Sequence, residues 1–377
     1  MTRRILVIAG EASGDLHGSG VVRELKRQAP GIEVFGMGGD MLRKEGMEVL
    51  VDFRTMAFMG FVEVAQNLGT VLKTERILKD ALTSRKPDAV LLIDYPGFNL
   101  RFARAAQKAG AAVHYYISPQ VWAWHRSRVK TIARVVDKMH VIFLFEEEIY
   151  ARAGVPVMFV GHPLVERLTL LPSISEWKRD HDFNPGKPLL ALFPGSRVQE
   201  VERILPAMVD AARVLTRRRS LEIALGLAPN LEPEVVRKEL LRAPEIRIME
   251  HSTRELMQAA DAAIVTSGTA TLEIGWYGTP FVVVYRTSPV TYAIGRALVD
   301  VDNIGLVNIV AGRTIVPELI QHSCTPERMV QEVEPFLFDA TEQRRVRTAL
   351  SVIRERLGGP GASRKVAESI LAYRGAV

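Results

Sequence analysis

The sequence predicts an α/β protein of two Rossmann-like domains facing a cleft, and three observations carry that prediction. Short segments rich in apolar and β-branched residues alternate with helix-length segments, as in a buried parallel sheet. The alternation breaks near residue 165 and restarts near residue 189. The 377 residues, 47% of them hydrophobic, suffice for two cores, because one domain usually holds roughly 100 to 200 residues.

In chain order, Ile5–Ala9, Ala89–Ile93, Ala112–Ile117 and Met139–Phe143 read as strands of a first, doubly wound half. They are too short for helices and lack the polar alternation of a half-exposed sheet. Leu189–Phe193, Leu221–Leu225, Ala262–Val265 and Phe281–Tyr285 repeat the pattern, with a helix over Val198–Arg218. Between the halves, "GHPLVERLTLLPSISE" carries turn signals at Gly161-His162-Pro163, Pro172-Ser173 and Ser175 and no strong periodicity, which makes it the linker. The predicted domains are 1–165 and 173–344.

The formal net charge of +6 and a pI near 9.4 favour anionic partners: nucleic acid, a phosphorylated metabolite or an acidic membrane surface. Composition leaves these three open. Cys324 is the single cysteine, which excludes an internal disulfide and a cysteine-cluster metal site and suits a reducing compartment. No window approaches the ~20 apolar residues of a membrane span, and the opening apolar run is short for a signal peptide, so the expected location is the cytosol.

Open parallel sheets bind ligands beyond the carboxyl ends of their strands, so polar residues just after a strand matter most. In "ILVIAGEASGDLHG", Gly10 and Gly14 permit a tight turn and Ser13 or Asp15 can cap the next helix. That leaves Glu11 and His17 unexplained, and the loop lacks both a P-loop lysine and a dinucleotide fingerprint, so it reads as a ligand-facing loop rather than a nucleotide site. "PDAVLLIDYPGFN" runs a strand into Asp94, a candidate general base that the same position would also suit as an Asx turn or a cap for a helix from Asn99.

"LALFPGSRVQEV" sets Gly195, Ser196 and Arg197 before a helix. Free amides and a guanidinium there suit a diphosphate, although Pro-Gly-Ser is also an ordinary turn. "AAIVTSGTATLEIGWYGTP" repeats the device. The amides and hydroxyls of Ser267, Gly268, Thr269 and Ala270 can cradle phosphate oxygens, and Glu273 can accept both hydroxyls of a ribose or simply favour the helix dipole.

"YISPQVWAWHRSRVK" places Trp122 and Trp124 before Arg126, Lys130 and Arg134 on one helical face, and Arg101, Arg104 and Lys108 form a similar stripe. Solvated faces are the ordinary explanation; aromatics beside cations also suit a membrane interface, which ranks above nucleic acid because no nucleic-acid module accompanies them. "MAFMGFVEV", Met56 to Val64, reads as core or, where exposed, as an acyl-chain surface. His125 and His162 are plausible cleft residues, but no histidine–acid spacing resembles a metal site and no Gly-x-Ser-x-Gly elbow is present, so neither a catalytic metal nor a Ser–His–Asp hydrolase is expected.

Taken together and in this order from residue 5 to about 321, "GEASGDLHG", "MGFVEV", "DYPGFN", "SPQVWAW", "GHP", "PGSRVQEV", "SGTATLE" and "NIVAGRTIVPELIQ" resemble the lipid-A-disaccharide synthases, glycosyltransferases of the GT-B fold. The resemblance implies inverting transfer of 2,3-diacylglucosamine from UDP-2,3-diacylglucosamine to the 6-hydroxyl of 2,3-diacylglucosamine 1-phosphate, without metal or cofactor, in lipid A biosynthesis. It implies UDP binding by Ser196, Arg197, Ser267, Gly268, Thr269, Ala270, Glu273 and Asn308, and an acceptor side lined by Glu11, Ser13, Asp15 and His17. Asp94 would deprotonate the hydroxyl, with Arg197 steadying the leaving diphosphate. Some members carry a second acid where Gly97 stands here, so Asp94 is the one acid this motif offers in this chain.

The resemblance further implies a protein peripheral to the inner face of the inner membrane on an anionic surface, a possible homodimer with exchanged C-terminal segments, and helices from about 345 to 377 completing the first domain. The competing expectations are an enzyme like UDP-N-acetylglucosamine 2-epimerase and a non-catalytic UDP-sugar-binding or membrane-scaffolding protein.

Overall fold

Nearly unbroken apolar runs become the central strands of two parallel sheets, because only a strand covered on both faces can bury every side chain. The computed structural model describes residues 3–56, 68–123, 127–289, 292 and 303–373. The chain divides into two units, one of Met1–Glu166 with Leu357–Val377, the other of Arg167–Arg356.

The first unit runs β1 (Arg4–Ala9), α1 (Ala12–Gln28), β2 (Glu33–Gly38), α2 (Asp40–Lys44), β3 (Glu48–Asp52), α3 (Leu68–Arg85), β4 (Ala89–Ile93), α4 (Pro96–Lys108), β5 (Ala112–Tyr116), α5 (Arg128–Val135), β6 (Lys138–Val141), α6 (Glu146–Arg152) and β7 (Val157–Phe159). Its sheet has the order β3-β2-β1-β4-β5-β6-β7, with every pairing parallel. Leu6, Ile8, Val90, Leu92, Val113 and Tyr115 pack under Leu78, Phe98 and Phe102 of the covering helices. Each fully buried aliphatic or aromatic side chain there contributes roughly 1.5–3 kcal/mol.

The second unit runs α7 (Ile174–Asp180), β8 (Leu189–Phe193), α8 (Val198–Arg218), β9 (Glu222–Gly226), α9 (Glu234–Leu240), β10 (Ile246–Met249), α10 (Thr253–Ala259), β11 (Ala262–Thr266), α11 (Ala270–Tyr277), β12 (Phe281–Tyr285), α12 (Leu306–Ala311), β13 (Glu318–Ile320), α13 (Pro326–Phe338) and α14 (Ala340–Leu357). Its sheet order is β10-β9-β8-β11-β12-β13, again parallel throughout. Residues of β8 and β11 are buried without exception.

Each sheet reverses its strand order once, between β1 and β4 in the first unit and between β8 and β11 in the second. Such a switch point leaves a crevice beyond the strand ends, where open α/β sheets take their ligands.

Two expected boundaries move. The linker is shorter than expected: the second unit already begins at Arg167, and Ser173 is the N-cap of α7, accepting from Glu176 N. The carboxy-terminal return to the first unit begins at Leu357 rather than near 345. Helix α14 stays with the second unit, where Arg354 Nε donates to Trp276 O at 2.6 Å and Ile353 packs beside Gly275. Only the last helix, α15 (Ala362–Ala372), joins the first unit, fixed by Ser363 N and Oγ donating to Glu166 at 2.9 Å each.

Candidate functional site

At the first switch point the loops after β1 and β4 interlock. Gly10 ends β1 where a Cβ would lie 2.2 Å from the Tyr95 ring, so only glycine lets that ring lie across the loop. Helix α1 starts earlier than the capping motif suggests: Glu11 is its N-cap residue, without a side-chain cap bond, and Ser13 is an exposed residue of the first turn. Asp15 does not face a ligand. It is 4% exposed, and its carboxylate accepts from Gly39 N at 2.6 Å, Met41 N at 3.0 Å and Leu42 N at 3.2 Å. Those are the orphan amides of α2, so Asp15 caps a neighbouring helix. His17 is half-buried and approaches His162, which is held down to about 3 by burial first and then by His17. A neutral imidazole results.

Asp94 follows β4 in the left-handed region (φ 44°), as does Tyr95 (φ 47°). Such backbone costs on the order of 1–3 kcal/mol per residue and persists only when its surroundings fix it. Here Asp94 N donates to Tyr116 O at 2.9 Å, while Asp94 O accepts from Tyr115 Oη at 2.6 Å and Asn99 Nδ2 at 2.7 Å. The helix α4 begins with Pro96 rather than at Asn99, and Tyr95 is its N-cap residue. The half-buried Asp94 carboxyl is pushed up to about 6, by burial first and by the neighbouring Glu11 charge second, against the pull of the Tyr95 amide. An acid so placed is ionised near neutral pH yet basic enough to take a proton.

At the second switch point the turns after β8 and β11 line one pocket of about 280 Å³ that includes Ser196, Glu200, Asn230, Ser267, Gly268, Thr269, Ala270 and Glu273. Gly195 adopts φ +117°, and a Cβ there would meet Glu200 Oε2 at 2.8 Å. Glu200 itself accepts from Ser196 N at 3.3 Å and Arg197 Nη1 at 2.7 Å. A carboxylate from the first turn of α8 thus already engages the expected anion donors, and Arg197 is otherwise solvent-facing, its side chain 75% exposed.

The downstream turn divides its donors unevenly. Ser267 N donates to Val284 O and its hydroxyl to Ile304 O at 3.0 Å, which removes both from the expected phosphate cradle. Among the described residues, the amides of Gly268, Thr269 and Ala270 donate to no protein acceptor. These orphan groups stand at the start of α11 among the residues lining the pocket, a position that favours an anion. Glu273 pairs with Arg254 Nε at 3.1 Å, and burial followed by Arg254 lowers Arg167, with Glu273 opposing.

Asn308 does not reach a ligand. It is fully buried; Nδ2 donates to Val316 O and Glu318 Oε1, and Oδ1 accepts from Ile315 N and Val316 N. The amide's two donors and two acceptor sites are all spent on the chain, so its role is to fix the loop before β13.

Sequence reasoning missed Glu200, which engages its own turn, Asn230 and Arg254, whose partners lie on other turns, and Glu146. Glu146 is 1% exposed, accepts from Trp122 Nε1 and Phe143 N, and is pushed up to about 8 mainly by burial. Of the basic stripes, Arg101, Arg104, Lys108, Lys130 and Arg134 are exposed, although Arg101 also pairs with Glu75 at 3.1 Å. Trp124, His125, Arg126 and the part of "MAFMGFVEV" that follows Met56 lie outside the described residues. Among the described residues no helix is long and apolar enough to cross a membrane.

Residues 5–368 match the model of a family described as lipid-A-disaccharide synthetase. The chain is 43% identical to the lipid-A-disaccharide synthase of Geobacter metallireducens, over 99% of this chain and 98% of that one. It is 41% identical to the synthase of Myxococcus xanthus, over 98% and 97%. Among solved structures it resembles UDP-GlcNAc 2-epimerase from Neisseria meningitidis bound to UDP-GlcNAc (TM-score 0.64, 14% identity, 98% and 100% covered). It also resembles the calicheamicin glycosyltransferase CalG4 (TM-score 0.62, 16% identity, 100% of both chains). At those identities the structural likeness concerns the fold alone.

Proposed function

Because this chain belongs to the lipid-A-disaccharide synthase family, and is therefore a glycosyltransferase of lipid A biosynthesis with a GT-B fold, we propose how its residues divide the reaction. The donor is UDP-2,3-diacylglucosamine and the acceptor 2,3-diacylglucosamine 1-phosphate. The 6-hydroxyl of the acceptor displaces UDP from the anomeric carbon with inversion, giving lipid A disaccharide 1-phosphate.

The observation that carries this reading is Asp94 at the first switch point, its carboxyl lifted to about 6 by burial and Glu11. It takes the hydroxyl proton as the new C–O bond forms. Glu11, Ser13 and His17 remain the acceptor-side candidates, with Asp15 supporting them from beneath.

In the second unit, the free amides of Gly268, Thr269 and Ala270 receive phosphate oxygens. Arg197 turns from Glu200 to the departing diphosphate, and Ser196 offers its amide once Glu200 yields. Fixed donors aimed at developing negative charge are the effective part of such a site. Glu273 accepts from the ribose hydroxyls, with Arg254 Nε donating to its carboxylate at 3.1 Å.

Both substrates carry acyl chains. Leu68 and Leu72 of α3 are 51% and 54% exposed, and with the basic stripes they support peripheral attachment to an anionic surface on the inner face of the inner membrane. A homodimer is part of the same family reading.

The test is incubation with both acylated substrates, followed by mass spectrometry. The expected product is the acylated disaccharide 1-phosphate with UDP released; sugar conversion without acceptor would instead indicate an epimerase. Asp94→Asn is expected to lower kcat by roughly a hundredfold or more while leaving UDP affinity near its original value. Unchanged turnover removes Asp94 from the mechanism.

A further inference from the structure

We propose that Tyr115 is a positioning residue for the transfer reaction, its hydroxyl holding the main-chain oxygen of Asp94 so that the strained turn presents the Asp94 carboxylate. The proposal rests on the reading of Asp94 as the base. Strands β4 and β5 pair in parallel, Leu92 opposite Tyr115 and Ile93 opposite Tyr116, and the ladder's last contact is Asp94 N on Tyr116 O. Beyond it the backbone turns left-handed at two successive side-chain-bearing residues, and the carbonyl of Asp94 leaves the sheet without a ladder partner.

Two side chains supply donors instead. Asn99 divides itself between Ile93 O at 3.2 Å and Asp94 O at 2.7 Å, but it stands on α4, directly after the turn. Tyr115 stands on β5, inside the sheet, and its 2.6 Å bond ties the turn to the rigid element. Phenylalanine would fill the same core space. A fully buried hydroxyl has no packing advantage over it and is costly unless bonded, so its use here lies in that bond.

Tyr115→Phe keeps the ring and removes the tie. Steady-state kinetics with both acylated substrates are expected to show kcat lowered between about ten- and a hundredfold, the loss that small misplacement of a reacting group produces. KM for donor and acceptor is expected to stay within about twofold, and the melting transition close to that of the parent. In an Asp94→Asn background the same substitution is expected to add no further loss, since the group it aims is already disabled. Unchanged kcat, or an equal additional loss in both backgrounds, overturns the proposal. Full turnover by Asp94→Asn alone overturns the base reading, and the proposal with it, in an experiment that leaves Tyr115 untouched.

Discussion

Asp94 and Glu11 share one crevice, and the repulsion between them is measurable. Glu11 is the second cause of the raised Asp94 carboxyl, so Glu11→Gln removes a negative neighbour and lowers the proton affinity of the acid that remains. With Asp94 as the proposed base, activity is expected to fall as pH drops through about 6, and in Glu11→Gln the acid limb of the kcat profile is expected at lower pH. A limb that stays in place would separate Glu11 from Asp94. The stability contribution has the opposite sense: a carboxyl raised by folding costs nothing below its ordinary range near 3.8 and progressively destabilises as pH rises to about 6. At this scale the sequence singled out Asp94, Ser196 and Glu273, and the structure sets Asp94 in the left-handed turn after β4 and Ser196 and Glu273 along one pocket. The sequence could not separate Asp15 and Asn308 from them. The partners that saturate both residues, Gly39 with its neighbours and the Ile315–Glu318 segment, come together only through folding.

Among elements, strands with an uninterrupted apolar run were legible, and those that were short or broken by glycine were not. β1, β4, β8, β11 and β12 bury nearly every residue, which leaves an uninterrupted apolar run in the sequence. Strand β2, "EVFGMG", carries two glycines that read as turn signals, and β7 and β13 have only three residues each. Helix α2 shows what the missed contacts accomplish. Its first-turn amides rest on Asp15 of α1, which joins the two helices and steadies the loop that carries Glu11. Asp15→Ala is expected to destabilise the first unit by about 1–3 kcal/mol, the cost of leaving buried amides unpaired. Thermal unfolding measures that loss, and Asp15→Asn, which keeps an acceptor oxygen, is expected to lose less. Equal losses for the two variants would mean that packing, not the cap, sets the cost.

On the scale of the whole chain, the division into halves could be read from the restart of the strand pattern, but the point of return could not, because α14 and α15 are both amphipathic and nothing local tells which core each one covers. Removing residues 357–377 strips α15 from α1, and in hydrogen exchange the amides of α1, β1 and β2 are expected to lose protection while those of β8, β11 and α14 keep theirs. Uniform loss across both units would contradict the division. The first unit also draws on the chain from two places separated by all of the second. During synthesis, its sheet leaves the ribosome long before the helix that closes it, and the intervening unit can complete its own core first. Nascent chains of this protein must therefore carry an unsealed α1 flank through most of translation, a window in which a chaperone that covers apolar helix faces has something to hold.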